Sequence, residues 1–163
     1  MDTDKIEKQI VLKASLERVW RAISEPEQFG AWFGVALDTP FVAGEEAVGQ
    51  IAPTKADPEI AKLQEPYAGT PWRIRVEEIE PMRLFSFRWH PFAVDPACDY
   101  AQEPMTLVTF TLEEVEDGVL LTITETGFDQ LPLARRAEAR ESNAGGWEHQ
   151  TRLIEKYLAR EGR

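Results

Sequence analysis

The amino-acid sequence predicts an α+β fold: an antiparallel sheet of six or seven strands, one face of which is covered by a single long helix. Two observations carry this. Between residues 35 and 126, six segments follow one another with no long helical pattern between them, and the best four place an apolar set on one side at period two, the signature of a meander. The stretch from Leu133 to Ala159 is the only one long enough to cover the sheet's apolar face with a helix. The 163 residues amount to one domain's worth of chain, so residues 1–163 are expected to form a single domain.

The elements follow in order. Lys5 to Lys13 places Ile6, Ile10 and Leu12 at period two and reads as a strand. Ser15 caps a helix that carries Leu16, Val19, Trp20 and Ile23 on one face. Glu25-Pro26-Glu27 opens a second short helix through Phe29, Trp32 and Phe33, stopped by Gly34. Two weaker strands fall near Val35–Phe41 and Ala47–Ile51. Trp72–Ile79 then turns Trp72, Ile74 and Val76 inward, and Arg83–His90 does the same with Phe85, Phe87 and Trp89. Thr106–Glu113 presents Val108, Phe110 and Leu112, and Val119–Thr126 presents Val119, Leu121 and Ile123. Asp117-Gly118 between them is a strong hairpin signal. In the last helix the inward seam is Leu133, Ala137, Arg140, Ala144, Trp147, Thr151, Ile154 and Leu158. Gly145-Gly146 inside it implies close approach to a strand or a local break.

Composition narrows the function. Lys and Arg number 18 against 29 Asp and Glu, a net charge of −11, which argues against nucleic acid and against an anionic membrane surface. A lone cysteine, Cys98, cannot form an internal disulfide. The first twenty residues hold no uninterrupted apolar run, and no stretch is long enough to span a bilayer. A cytoplasmic location is therefore expected. With two histidines, one cysteine and neither HExxH nor CxxC spacing, no metal is expected. Phosphate-loop, dinucleotide and nucleophile-elbow motifs are absent, so no cofactor is implied. His90 and His149 lie off the inward faces, and Cys98 has no basic neighbour to activate it. A homodimer stays open.

Loop lengths locate the functional end. The connections Pro53–Pro71 and Pro91–Pro104 are long and Pro-rich, whereas those at Ala43–Glu46, Pro81-Met82 and Glu116–Gly118 are tight. In an up-down meander alternate turns share an end, so both long loops share one rim with the start of the last helix. Parity then singles out Glu125, which follows Ile123 inward at that rim. A carboxylate there needs partners, and Arg140 is the expected one. The plainer alternative makes both of them solvated rim charges. Trp72, Phe87, Trp89, Phe110 and Trp147 also fall on inward positions, either filling a core or lining an apolar pocket.

Certain phrases resemble a known family. Ile10-Val11-Leu12-Lys13-Ala14 precedes Val19-Trp20-Arg21-Ala22-Ile23, Pro26-Glu27 and Trp32-Phe33. Glu80-Pro81-Met82-Arg83-Leu84 with Trp89 follows, then Leu121 to Phe128, then Gly146-Trp147 before Leu153, Ile154 and Leu158. In this order they resemble START-like (SRPBCC) domains, in particular those similar to the activator of heat-shock-protein-90 ATPase. The resemblance implies a helix-grip fold, a curved sheet around the C-terminal helix with a cavity between them. It also implies apolar small-molecule ligands in many members, and it carries no universal catalytic residue.

The leading expectation is binding of a small apolar or aromatic molecule. Trp72, Phe87, Trp89, Phe110, Trp147 and Ile154 supply apolar contact, and Glu125 and Arg140 orient a polar group. One rival is an enzyme of cyclase or hydrolase type with Glu125 as general acid or base. Another is a protein-interaction or chaperone-regulating module, which calls for an exposed apolar patch.

Overall fold

The computed structural model describes residues 5–90 and 104–161. Strand β1 (Lys5–Leu12) is followed by helices α1 (Leu16–Ser24) and α2 (Pro26–Phe33). Strands β2 (Val35–Leu37) and β3 (Glu46–Ile51) come next, then helix α3 (Pro58–Gln64) and a 3-10 turn at Glu65–Tyr67. Strands β4 (Pro71–Glu80), β5 (Leu84–Trp89), β6 (Thr106–Val115) and β7 (Gly118–Thr126) lead to helix α4 (Leu133–Glu161). All seven strands join one antiparallel sheet in the order β1-β7-β6-β5-β4-β3-β2. The α+β architecture is the expected one.

The two short helices form where the local chemistry directs. The Ser15 hydroxyl accepts from the Arg18 amide and caps α1. Pro26 opens α2 but has no N–H, so it cannot donate to the Ala22 carbonyl four residues back. The Trp32 indole does so instead, at 2.8 Å, locking α2 against α1 inside the core. Gly34 ends α2 with φ 102, a left-handed conformation that side chains resist.

Three expectations change. The long, Pro-rich Pro53–Pro71 connection carries a helix that the sequence reading did not give it: Asp57 caps α3 within it by accepting from the Glu59 and Ile60 amides. Gly145 and Gly146 neither break α4 nor approach a strand. The helix runs through them, and nothing lies within 4 Å of a Cβ built at either. The inward seam of α4 holds from Trp147 through Thr151 and Ile154 to Leu158, but Leu133 is 79% exposed and Ala137 is exposed as well. Length explains this. Twenty-nine helical residues span about 43 Å at 1.5 Å each, more than a ten-residue strand at about 33 Å, so one end of α4 overhangs.

The core lies between the sheet and α1, α2 and α4, and is rich in aromatic residues. Phe29, Trp32, Phe85, Phe87 and Phe110 are fully buried. No helix among the described residues is long and apolar enough to cross a membrane.

Candidate functional site

Antiparallel pairing brings the end of β3, the start of β4, the end of β5, the start of β6 and the end of β7 to one rim. Glu125 sits there on β7, between Ile6 of β1 and Val108 of β6, on the face that Ile123 and Leu121 share. It is 0% exposed, so it is no solvated rim charge.

Four neutral side chains hold its carboxyl group. The Trp89 indole donates to Oε2 at 2.8 Å, and the Thr106 hydroxyl donates to the same oxygen. The Trp147 indole donates to Oε1 at 2.8 Å, and the Asn143 amide reaches both oxygens at 2.9 and 3.1 Å. Indole and amide N–H groups can only donate, so both oxygens act as acceptors. Among the described residues no Lys or Arg forms an ion pair with Glu125. The segment 91–103 contains no Lys, Arg or His in its sequence.

The expected Arg140 partnership does not form. Arg140 donates instead to the Lys5 carbonyl at 2.9 Å, while its Nε is buried without a partner. β1 is an edge strand, so its outer carbonyls lack a ladder partner and can take a guanidinium. Asn143, almost one turn further along α4, reaches Glu125 in its place.

The rings predicted to face inward meet around this carboxylate. Trp89 and Trp147 lie with centroids 5.6 Å apart, and Phe33 is within 6.2 Å of both. Trp72 touches Phe33 at 5.5 Å and Trp89 at 6.3 Å. Phe87 packs on Trp89 at 5.3 Å and Phe110 on Trp147 at 5.8 Å. Ile154 is buried about two turns further along α4. Most of these rings are fully or nearly buried, whereas Trp89 is half-buried.

Sequence reasoning missed Phe33, Thr106 and Asn143. Thr106 was within reach, because it shares the parity of Val108 and stands opposite Trp89. Asn143 lies four residues before Trp147, on the same helix face. Phe33 was assigned only to the second helix, and its role depends on how that helix docks.

Two surface clefts lie elsewhere, and none of the predicted site residues lines either. One, of about 610 Å³, sits among α1, α2 and the end of α4, lined by Arg18, Arg21, Glu25 and Tyr157 among others. The second, of about 670 Å³, runs beside α2 and β2. Lys156 on α4 donates to the Asp57 carboxylate, tying α3 to the long helix. That hydrogen bond, with the Ile60 amide, holds the Asp57 carboxyl below the usual carboxylate range. Among the described residues no group of three or more His, Cys, Asp or Glu could hold a metal ion. His149 is exposed, His90 half-buried, and Cys98 lies outside the described residues.

Comparison with known proteins agrees with this architecture. The family described as activator of Hsp90 ATPase homolog 1-like protein matches over residues 13–159. No curated protein sequence matches. Among solved structures, protein MLL2253 from Mesorhizobium loti is 21% identical with a TM-score of 0.69, the match covering 96% of this chain and 97% of that one. Protein NE0264 from Nitrosomonas europaea is 19% identical with a TM-score of 0.65, covering 99% of each chain. DynU16, from the dynemicin biosynthetic locus, is 21% identical with a TM-score of 0.66, covering 96% of this chain but 47% of its own. At such identities the likeness is one of fold.

Proposed function

The chain belongs to the activator of Hsp90 ATPase homolog 1-like family, and on that footing we propose that it binds a small apolar or aromatic molecule between the sheet and α4. The observation that carries this is Glu125: a carboxylate wholly buried among tryptophan rings and held, among the described residues, by neutral donors. Burying a charge costs several kcal/mol even after relaxation, roughly, and a well-packed apolar side chain there would avoid that cost. Buried ionisable groups among apolar walls are a recurring mark of ligand sites.

Trp89 is the way in. It closes the strand end of the cluster, is half-buried, and stands at the rim where β5 gives way to the long connection. Swinging it outward vacates its contacts with Phe33, Trp72, Trp147 and Phe87 and its hydrogen bond to Glu125. Glu125 then orients the ligand's polar end. Both its oxygens are already engaged by donors, which suits an orienting acceptor better than a proton-transfer group.

Native mass spectrometry of the purified protein, before and after mildly denaturing extraction, tests the proposal together with fluorescence titration against a panel of hydrophobic compounds. A co-purifying molecule, or saturable binding that changes tryptophan emission, is the expected result. Absence of both overturns it.

A further inference from the structure

Resting on that reading, we infer that the preferred ligand carries a cationic, hydrogen-bond-donating head, such as a protonated amine, beside its apolar body. Three independent features converge on this class.

The first is charge. Glu125 forms no ion pair among the described residues, and the sequence of the segment joining β5 to β6 holds no Lys, Arg or His. Arg140, the basic side chain best placed along α4, is committed to the Lys5 carbonyl. A carboxylic ligand would meet like charge in a low-dielectric site, and a neutral apolar ligand would add burial to an already uncompensated carboxylate. An ammonium group neutralises it.

The second is the rings. Phe33, Trp72, Trp89 and Trp147 gather at this carboxylate with neighbouring centroids 5.5 to 6.3 Å apart. Aromatic faces attract cations, tryptophan most strongly, so a head group that reaches a face of Trp72, Phe33 or Trp147 once Trp89 swings out is favoured when it is cationic.

The third is a spare acceptor. Gln150 lies almost one turn beyond Trp147 on α4, and its amide nitrogen donates to the Phe33 carbonyl at 3.1 Å. Its Oε1 is buried without a partner. At Gln150 Oε1 the unmet need is for a donor, whereas at Arg140 Nε it is for an acceptor. When Trp89 swings away, its indole N–H leaves Glu125 Oε2, and an ammonium N–H takes that place.

Isothermal titration of the full chain with naphthylmethylammonium, naphthylmethanol and naphthylacetate tests the inference. These probes share one apolar body and differ in the head. The ammonium is expected to bind about tenfold or more tighter than the alcohol, as a cation facing aromatic rings and a carboxylate should, with the carboxylate weakest. Glu125→Gln should remove the preference and bring the three affinities together. If the alcohol or the carboxylate binds as tightly as the ammonium, the inference falls while the apolar-ligand reading stands. If no probe binds saturably, both fall. The ranking in the unmodified protein decides the matter even where Glu125→Gln fails to fold.

Discussion

Trp147→Phe asks how much the buried carboxylate depends on its donors. The substitution keeps an aromatic ring at a position only 2% exposed but deletes the N–H that reaches Glu125 Oε1 at 2.8 Å. A hydrogen bond to a charged group contributes about 1.5–3 kcal/mol, and no water can replace the donor in a closed site. The missing ring edge adds on the order of 1 kcal/mol of lost packing. The expected loss is therefore about 2.5–4 kcal/mol, or a fall in Tm of roughly 5–15 °C for a chain of this size. Trp89→Phe deletes an equally short bond to Oε2, but that ring is half-buried and water can reach the vacated place. Its cost should stay below about 1.5 kcal/mol, the range of an ordinary exchange with solvent. Urea denaturation followed by far-ultraviolet circular dichroism reads both, with an unchanged m-value as the control. A Trp147→Phe loss of 1 kcal/mol or less, or an order reversed between the two variants, would falsify the view that these donors hold the Glu125 side chain in place.

Three further outcomes are expected. Gly145→Ala and Gly146→Ala should each stabilise the protein by about 0.5–1 kcal/mol in thermal melts, because both positions are exposed, helical and open around the new methyl group; a loss would place a hidden contact there. Gly49→Ala should destabilise the β2–β3 edge by more than about 1 kcal/mol, since its Cβ would stand 2.1 Å from the Ala36 carbonyl oxygen; unchanged hydrogen exchange at the β2 amides would refute this. Asp57→Asn keeps the α3 cap but loses the Lys156 ion pair. Because the folded carboxyl titrates below its ordinary value, the pair's contribution is complete above an unfolded pKa of about 4 and is lost as pH falls through the lowered folded value. The stability gap between wild type and variant should therefore close in acid, and a gap that widens there refutes the assignment.

The fold was legible wherever one rule acted alone. Period-two alternation identified β4 through β7 to within a residue or two, because one sheet face is buried and the other is not. The 53–71 stretch reads as a long Pro-rich connection, yet within it Pro58 occupies the first turn of α3 behind the Asp57 cap, where its missing N–H costs nothing. The first turns of α4 misled for a different reason. Helical periodicity shows which residues share a face but not where the sheet beneath that face ends, and Leu133 lies where α4 overhangs.

The site divides along the same line. Strand parity is a local property, and it alone places Glu125 inward, in step with Leu121 and Ile123. Its partner was chosen by charge, and charge was the wrong criterion. Arg140 donates to an edge-strand carbonyl, while an amide, a hydroxyl and two indoles hold Glu125 at lower desolvation cost than a guanidinium would bring. A donor set of this kind is hard to see in sequence, because Trp89 and Trp147 already count as core by hydropathy and their N–H groups add no signal of their own. Wherever an inward carboxylate shares a rim with inward tryptophans, the indoles are the first partners to consider. The carboxylate left without an ion pair among the described residues is the premise from which the ammonium-ligand proposal proceeds.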